Sequence, residues 1–113
     1  MKNEEHIEQV NFVNWFKYNY PTIKIMAIPN GGKRSISVAK KLKSEGGSRG
    51  VPDLFIPELK LWIEMKKVKG GSTSKEQKEW IEYLNGCGYK AVVCKGFLAA
   101  KQCILDDSIW SEQ

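Results

Sequence analysis

The sequence predicts an α/β fold: a mixed central β-sheet flanked by helices, in the order α-β-α-β-β-α-β-α. Three observations predict it. Apolar residues recur near the helical period in four segments, and shorter β-branched and aromatic runs lie between them. Mid-chain, two apolar runs, Leu54–Ile56 and Leu61–Met65, flank a short turn at Pro57-Glu58-Leu59-Lys60. A helical segment then separates the second run from a last strand, the pattern of a crossover between parallel strands, which takes the right hand.

Residues Glu4 to Tyr18 make the first helix, with Ile7, Val10, Phe12, Val13, Trp15 and Phe16 as a broad apolar stripe ended at Asn19-Tyr20-Pro21. Ile23 to Ile28 reads as a strand, closed by the turn signal Pro29-Asn30-Gly31-Gly32. Ser35 to Ser44 reads as a second helix, capped by Ser35, with a thin apolar face of Val38, Ala39 and Leu42. The flexible loop Glu45–Gly50 leads into the hairpin. A second loop, Lys69–Thr73, precedes a third helix from Ser74 to Leu84, which Asn85, Gly86 and Gly88 terminate. Tyr89–Cys94 is the last strand and Phe97–Ile104 a closing helix. Trp15 and Trp80 are expected in the core. Trp110 serves either as a packing anchor or as part of a subunit interface.

A chain of 113 residues, 42% hydrophobic, is one domain (residues 1–113) with a modest core. It has no apolar run of ~20 residues to span a membrane, and its charged N-terminus lacks the apolar stretch of a signal peptide. Three cysteines without a Cys-x-x-Cys pair, and His6 as the single histidine, remove the usual zinc arrangements. Reduced thiols in a cytoplasmic protein are expected. The net charge of +5 is a mild bias toward polyanions. Its distribution says more: Lys33, Arg34, Lys40, Lys41, Lys43 and Arg49 fall between Pro29 and Val51, opposed there only by Glu45.

The chemistry concentrates in Gly50-Val51-Pro52-Asp53-Leu54-Phe55-Ile56 and Leu61-Trp62-Ile63-Glu64-Met65-Lys66-Lys67. Alternate residues of a strand share a face, so Glu64 and Lys66 point one way while Ile63 and Met65 point into a core. Antiparallel pairing lets Asp53 reach the polar face. Two carboxylates can hold a hard cation through oxygen, the cation activates water, and a lysine steadies developing negative charge. That set is what metal-assisted phosphodiester hydrolysis requires. Trp62 shares the face of Glu64 by parity and is expected to pack at the start of the strand against the first helix.

With these residues the sequence resembles the PD-(D/E)xK nuclease superfamily, and more narrowly its VRR-NUC (virus-type replication-repair nuclease) group. The narrower resemblance spans nearly the whole chain. It rests on Glu5-His6-Ile7-Glu8-Gln9, Ile28-Pro29-Asn30-Gly31-Gly32-Lys33-Arg34, Gly50-Val51-Pro52-Asp53-Leu54, Glu64-Met65-Lys66, Ser74-Lys75-Glu76-Gln77-Lys78-Glu79-Trp80 and Gly88-Tyr89-Lys90-Ala91-Val92-Val93-Cys94. Glu-x-Lys alone arises by chance in many proteins; the ordered set is specific. The resemblance implies a restriction-endonuclease-like core and a metal-dependent nuclease with Asp53, Glu64 and Lys66 as its triad. It adds an acid from the first helix and the helical Gln77. It also implies the standalone phage or bacterial type, similar to homodimeric junction-resolving enzymes.

Each assignment has a structural rival. Glu8 shares a helical face with Phe12 and Trp15 and is expected as an accessory ligand, with Glu5 one turn earlier as its competitor. Gln77 is also the fourth residue of a capping box begun by Ser74. Asn30, Lys33 and Arg34 belong either to an ordinary turn or to a phosphate-binding one.

The expected function is hydrolysis of DNA phosphodiesters with Mg²⁺ or Mn²⁺, on branched DNA such as four-way junctions, by a homodimer. Asp53, Glu64, Glu8 and the backbone carbonyl of Met65 would hold metal, and Lys66 and Gln77 would serve the attacking water. Asn30, Lys33, Arg34, Lys40, Arg49 and Lys69 would contact phosphates without reading bases. The alternatives are a nicking, flap or restriction-like endonuclease, and an inactive nucleic-acid-binding module.

Overall fold

The computed structural model describes residues 4–29 and 36–111. Helix α1 (Glu4–Asn19) opens the chain and a two-residue strand β1 (Met26–Ala27) follows. Helix α2 (Ile36–Ser44) precedes the hairpin of β2 (Leu54–Ile56) and β3 (Leu61–Lys66). Helix α3 (Lys75–Gly86), strand β4 (Lys90–Lys95), helix α4 (Phe97–Leu105) and a single turn α5 (Ser108–Ser111) complete it.

The strands lie in the order β1-β2-β3-β4. β1 and β2 pair antiparallel, β2 and β3 pair antiparallel with Phe55 opposite Trp62, and β3 and β4 pair parallel with Glu64 opposite Val93. The expected mixed sheet is thus present, with β3 interior. Odd-numbered Leu61, Ile63 and Met65 join Leu54 and Ile56 in a core completed by Phe12 and Phe16 of α1 and Ala100 and Ile104 of α4. β3 is buried on both faces, as an interior strand in a layered fold is. Its even face carries Trp62, Glu64 and Lys66, so the hydrophobic layer fixes the register that presents the charges.

Several expectations shift in detail. The α1 stripe is too wide for one helix face: Phe12 and Phe16, four residues apart, are buried, whereas Ile7 and Val10 lie on the far side and are exposed. The strand expected over 23–28 pairs only at Met26–Ala27, because the partner β2 is itself three residues long. Ile28 still donates its N–H to the carbonyl of Asp53 at 2.8 Å. The hairpin turn is one turn of 3₁₀ helix, Pro57–Leu59, ending on Lys60 at φ 51. Trp62 does not reach α1, which covers the opposite face; it stacks on Phe55 at 4.1 Å, with Tyr89 edge-on to both. Trp80 lies half-buried outside the core cluster. Trp110 takes the packing role: α5 brings its ring to 5.2 Å from Tyr20, and its indole N–H donates to the Ile104 carbonyl. The three thiols are unbridged. No described helix is long and apolar enough to cross a membrane. Asn30, Lys33, Arg34 and the expected cap Ser35 fall outside the described residues.

Candidate active site

The site forms where the Asp53 loop, the end of β3 and the start of α3 meet. Asp53 Oδ2 accepts the Met65 N–H at 2.8 Å, which ties the loop acid to the neighbouring strand. The carbonyls of Lys66 and of Lys60, just before β3, accept the N–H groups of Gly96, just after β4, and Lys90, so even-numbered peptide groups along β3 face β4. Met65, of odd number, turns its peptide groups toward Asp53 instead. Glu64 is 2% exposed and Lys66 is 7% exposed, and their side chains form an ion pair at 3.4 Å.

Gln77, in the first turn of α3, joins the two. Its Nε2 donates to Glu64 Oε2 at 2.9 Å, and its Oε1 accepts from Lys66 Nζ at 3.0 Å. The same Oε1 accepts the Ser74 N–H at 2.9 Å while Ser74 Oγ accepts the Gln77 N–H, a complete capping box. Capping and the contact with the charged pair are therefore not alternatives: one amide oxygen does both. Gly50 makes the geometry possible. At φ +88 it lies so near α3 that a Cβ would stand 2.6 Å from the Glu76 carbonyl carbon. Only a residue without a side chain lets the Asp53 loop press on the turn that carries Gln77.

Electrostatically the cluster is short of positive charge. Burial, then the charge of Asp53, push the Glu64 carboxyl up to about 8, against the lowering influence of Lys66. Burial also raises Asp53, opposed by the hydrogen bond from Met65. Glu64 Oε1 is buried and has no hydrogen-bond partner. Such an atom carries a desolvation cost of ~1–3 kcal/mol unless something pairs with it.

The acid of α1 beside this cluster is Glu5. Its carboxyl is raised by desolvation and feels Lys66, Asp53 and Lys67. Glu8 does face the protein, as its helical position implies, but it reaches another partner: Oε1 accepts the Phe97 N–H at 2.6 Å. It thereby caps α4, whose N-cap Gly96 has no side chain to do so. The expected accessory ligand is thus placed at a helix terminus, and its competitor lies within electrostatic reach of the cluster. The two differ by one helical turn on the same side of α1, which periodicity does not separate.

Lys40 is exposed on α2, and Lys69 is exposed on the loop after β3. Arg49 stands against α3 with Glu76, Glu79, Trp80 and Tyr83. None of the three joins the carboxylates. A cavity of about 420 Å³ lined by Leu59, Lys60, Asn85, Tyr89, Lys90 and Ile109 lies at the opposite end of β3 and contains no carboxylate. Among the described residues no three His, Cys, Asp or Glu side chains converge closely enough to hold a metal by themselves.

The VRR-NUC domain family matches residues 3–98, which include every residue of the cluster. The chain belongs to the VRR-NUC family. A solved structure described as a VRR_NUC domain protein is similar at 30% identity and a TM-score of 0.75, over 93% of this chain and 88% of that one. No curated protein matches the sequence. As a VRR-NUC domain, the chain is a nuclease domain of the PD-(D/E)xK type, for which DNA is the implied substrate. The expected family and α/β fold therefore hold.

Proposed function

We propose that this VRR-NUC domain is a structure-specific endonuclease that hydrolyses DNA phosphodiesters with Mg²⁺ or Mn²⁺ at the Asp53–Glu64–Lys66 cluster. The observation that carries the proposal is the unpartnered Glu64 Oε1, buried beside a second carboxylate. A hard cation suits that donor set. Asp53, Glu64 and the Met65 carbonyl would hold it, and Glu5, more than Glu8, stands where an outer water can be bound. Two side-chain carboxylates, a carbonyl and waters are an ordinary complement for Mg²⁺, which keeps much of its hydration. When bound, such a cation polarises the phosphodiester and lowers the pKa of a coordinated water.

The remaining work belongs to the chain. Lys66 is held by Gln77 and Glu64, so its ammonium is oriented before substrate arrives; one N–H remains to orient the attacking water or to meet a phosphate oxygen. Gln77 fixes both partners and stays neutral, so it adds no charge to the cluster. The burial of the cluster keeps bulk water from screening these interactions.

Lys40 and Lys69, with Asn30, Lys33 and Arg34 beyond the described residues, would track phosphates away from the cut. The exposed cations on α2 are lysines, which contact phosphates without reading bases, and this favours shape over sequence as the determinant. Branched DNA such as a four-way junction fits that reading, and a two-fold homodimer would supply the paired cuts that resolution needs. The test is cleavage of matched four-way junction, flap, single-stranded and duplex DNA in Mg²⁺ and in Mn²⁺, with Lys66→Ala in parallel. Paired symmetric cuts in the junction, lost in the variant, are expected. Cleavage confined to flap or duplex would remove the junction assignment, and binding without cleavage in either metal would remove the enzymatic one.

A further inference from the structure

Beside the cluster, on the outer flank of α3, a cavity of about 350 Å³ is lined by Arg49, Glu76, Glu79, Trp80 and Tyr83. Its size is at the lower end for small-molecule sites, ~300–1,000 Å³. Trp80 and Tyr83 meet edge to face at 5.8 Å and 86°, with Trp80 half-buried and Tyr83 exposed. Tyr83 is 63% exposed, and its side chain is hydrogen-bonded with that of Cys87 at the end of the same helix. Among the described residues the ion pair is Lys66–Glu64, so Arg49, Glu76 and Glu79 line the cavity without pairing to one another.

From these features we infer that the cavity is a docking site for one unpaired nucleobase of the DNA strand being cut. The inference rests on the nuclease reading above and names the part of the substrate that the domain grips. Three observations select this occupant. First, the lining is aromatic with two carboxylates against one guanidinium. Net negative charge disfavours a phosphate in the cavity itself, whereas aromatic faces stack bases of any identity. Carboxylates accept from exocyclic amino groups, which cytosine, adenine and guanine carry and thymine lacks. Second, the cavity neighbours the site along α3. Trp80 follows Gln77 by three residues, about 4.5 Å along the helix axis, and Gly50, next to Arg49, touches the backbone of Glu76 and Gln77. A strand whose phosphate lies at Glu64 would bring a base one or two nucleotides away to Trp80. Arg49 then stands at the rim, placed to meet the intervening phosphate. Third, the depression is shallow and open, and a base stacked in a duplex cannot lay its face on the Trp80 or Tyr83 ring; it must be unstacked, as bases at branch points and in single strands already are. The cavity thus links recognition of branched DNA to a specific set of side chains.

The test measures binding without cleavage, so that it stands apart from the nuclease reading. Fluorescence anisotropy in EDTA follows a labelled branched DNA carrying a single abasic residue at each position near the branch in turn. One position should be sensitive: removing its base should weaken wild-type binding about tenfold. Trp80→Ala and Tyr83→Ala should bind intact DNA more weakly and show no further loss with that abasic DNA. Thymine there should bind more weakly than cytosine or adenine, and Glu76→Gln with Glu79→Gln should erase the difference. Tyr83 is exposed, so Tyr83→Ala keeps the test informative if Trp80→Ala fails to fold. Absence of any sensitive position, or equal abasic losses in wild type and variants, would overturn the inference. DNA affinity indifferent to all four substitutions would overturn it too. If no DNA is cleaved but the sensitive position persists, the nuclease reading fails and the docking site stands.

Discussion

β3 and α2 both carry lysines close to apolar residues, yet the fold treats them in opposite ways. On β3, Lys66 and Glu64 are buried, paired with each other, and fixed by the same glutamine. On α2, Lys40, Lys41 and Lys43 are exposed, no residue is buried, and Ile36, Val38 and Leu42 are themselves solvent-accessible. Buried charge must be compensated group by group, so its geometry is specified to tenths of an ångström. Exposed charge is screened by salt and specifies only attraction. On the proposed function the first region would carry the chemistry and the second would gather DNA.

The difference predicts unequal responses to mutation. The largest effect should follow Glu64→Ala or Lys66→Ala, each lowering cleavage by about 10³-fold or more, read from single-turnover rates. Glu64→Gln should be equally inactive, yet more stable than the wild type in EDTA at alkaline pH. In the folded chain the Glu64 carboxyl titrates at about 8, against an ordinary 4.5. Between those values the folded state keeps a proton that the unfolded chain has released, so metal-free stability falls as pH rises from about 4.5 to about 8. A Tm profile in EDTA should show that fall, flattened in Glu64→Gln; an equal slope in the two proteins would place the titration elsewhere.

Next in size, Gly50→Ala should cost stability on the order of 1–3 kcal/mol and reduce cleavage as well, because it pushes the Asp53 loop away from α3. Denaturant unfolding beside cleavage rates measures both; loss of neither would mean that the close approach is dispensable. Gln77→Glu keeps an oxygen for the Ser74 cap but sets a carboxylate against Glu64 Oε2. It should lower metal-free stability, because a further carboxylate enters a cluster already short of positive charge, and reduce cleavage about 10²-fold, whereas a variant as stable and as active as the wild type would reduce Gln77 to a cap. Glu5 and Glu8 separate the two effects. Glu8→Gln should lower stability by about 1 kcal/mol through the α4 cap, and Glu5→Gln should lower cation affinity with little change in stability. The smallest effect belongs to α2: Lys40→Ala should weaken DNA binding a few-fold and flatten its salt dependence by about one unit of slope. An unchanged slope would remove Lys40 from the phosphate-tracking surface.

The same contrast explains what the sequence discloses. A period of two is unambiguous over Leu61–Lys66, so the hairpin, its core face, and the shared face of Glu64 and Lys66 are legible from residues alone. Position along a helix axis is not. Glu5 and Glu8 have similar angular placement, and only the packing of α1 against β3 and α4 decides which one reaches the cluster. Trp80 looks like a core residue because its helical position matches Leu84; the loop carrying Arg49 leaves it at a cavity rim instead. The doubled role of Gln77 was hidden for a related reason, since a capping box is a local pattern and the contact with Lys66 is tertiary. The signal that could have joined them is Gly50, placed three residues before Asp53, where close backbone approach was required.

The most direct test of the account is a cation-dependent thermal shift, wild type against Glu64→Gln, at pH 6 and pH 9, with Mg²⁺ and with Mn²⁺. The account predicts that each cation raises the Tm of the wild type, more at pH 9 where Glu64 has lost its proton, and leaves Glu64→Gln unmoved. An equal rise in both proteins, or none in either, would contradict a cation held between Asp53 and Glu64.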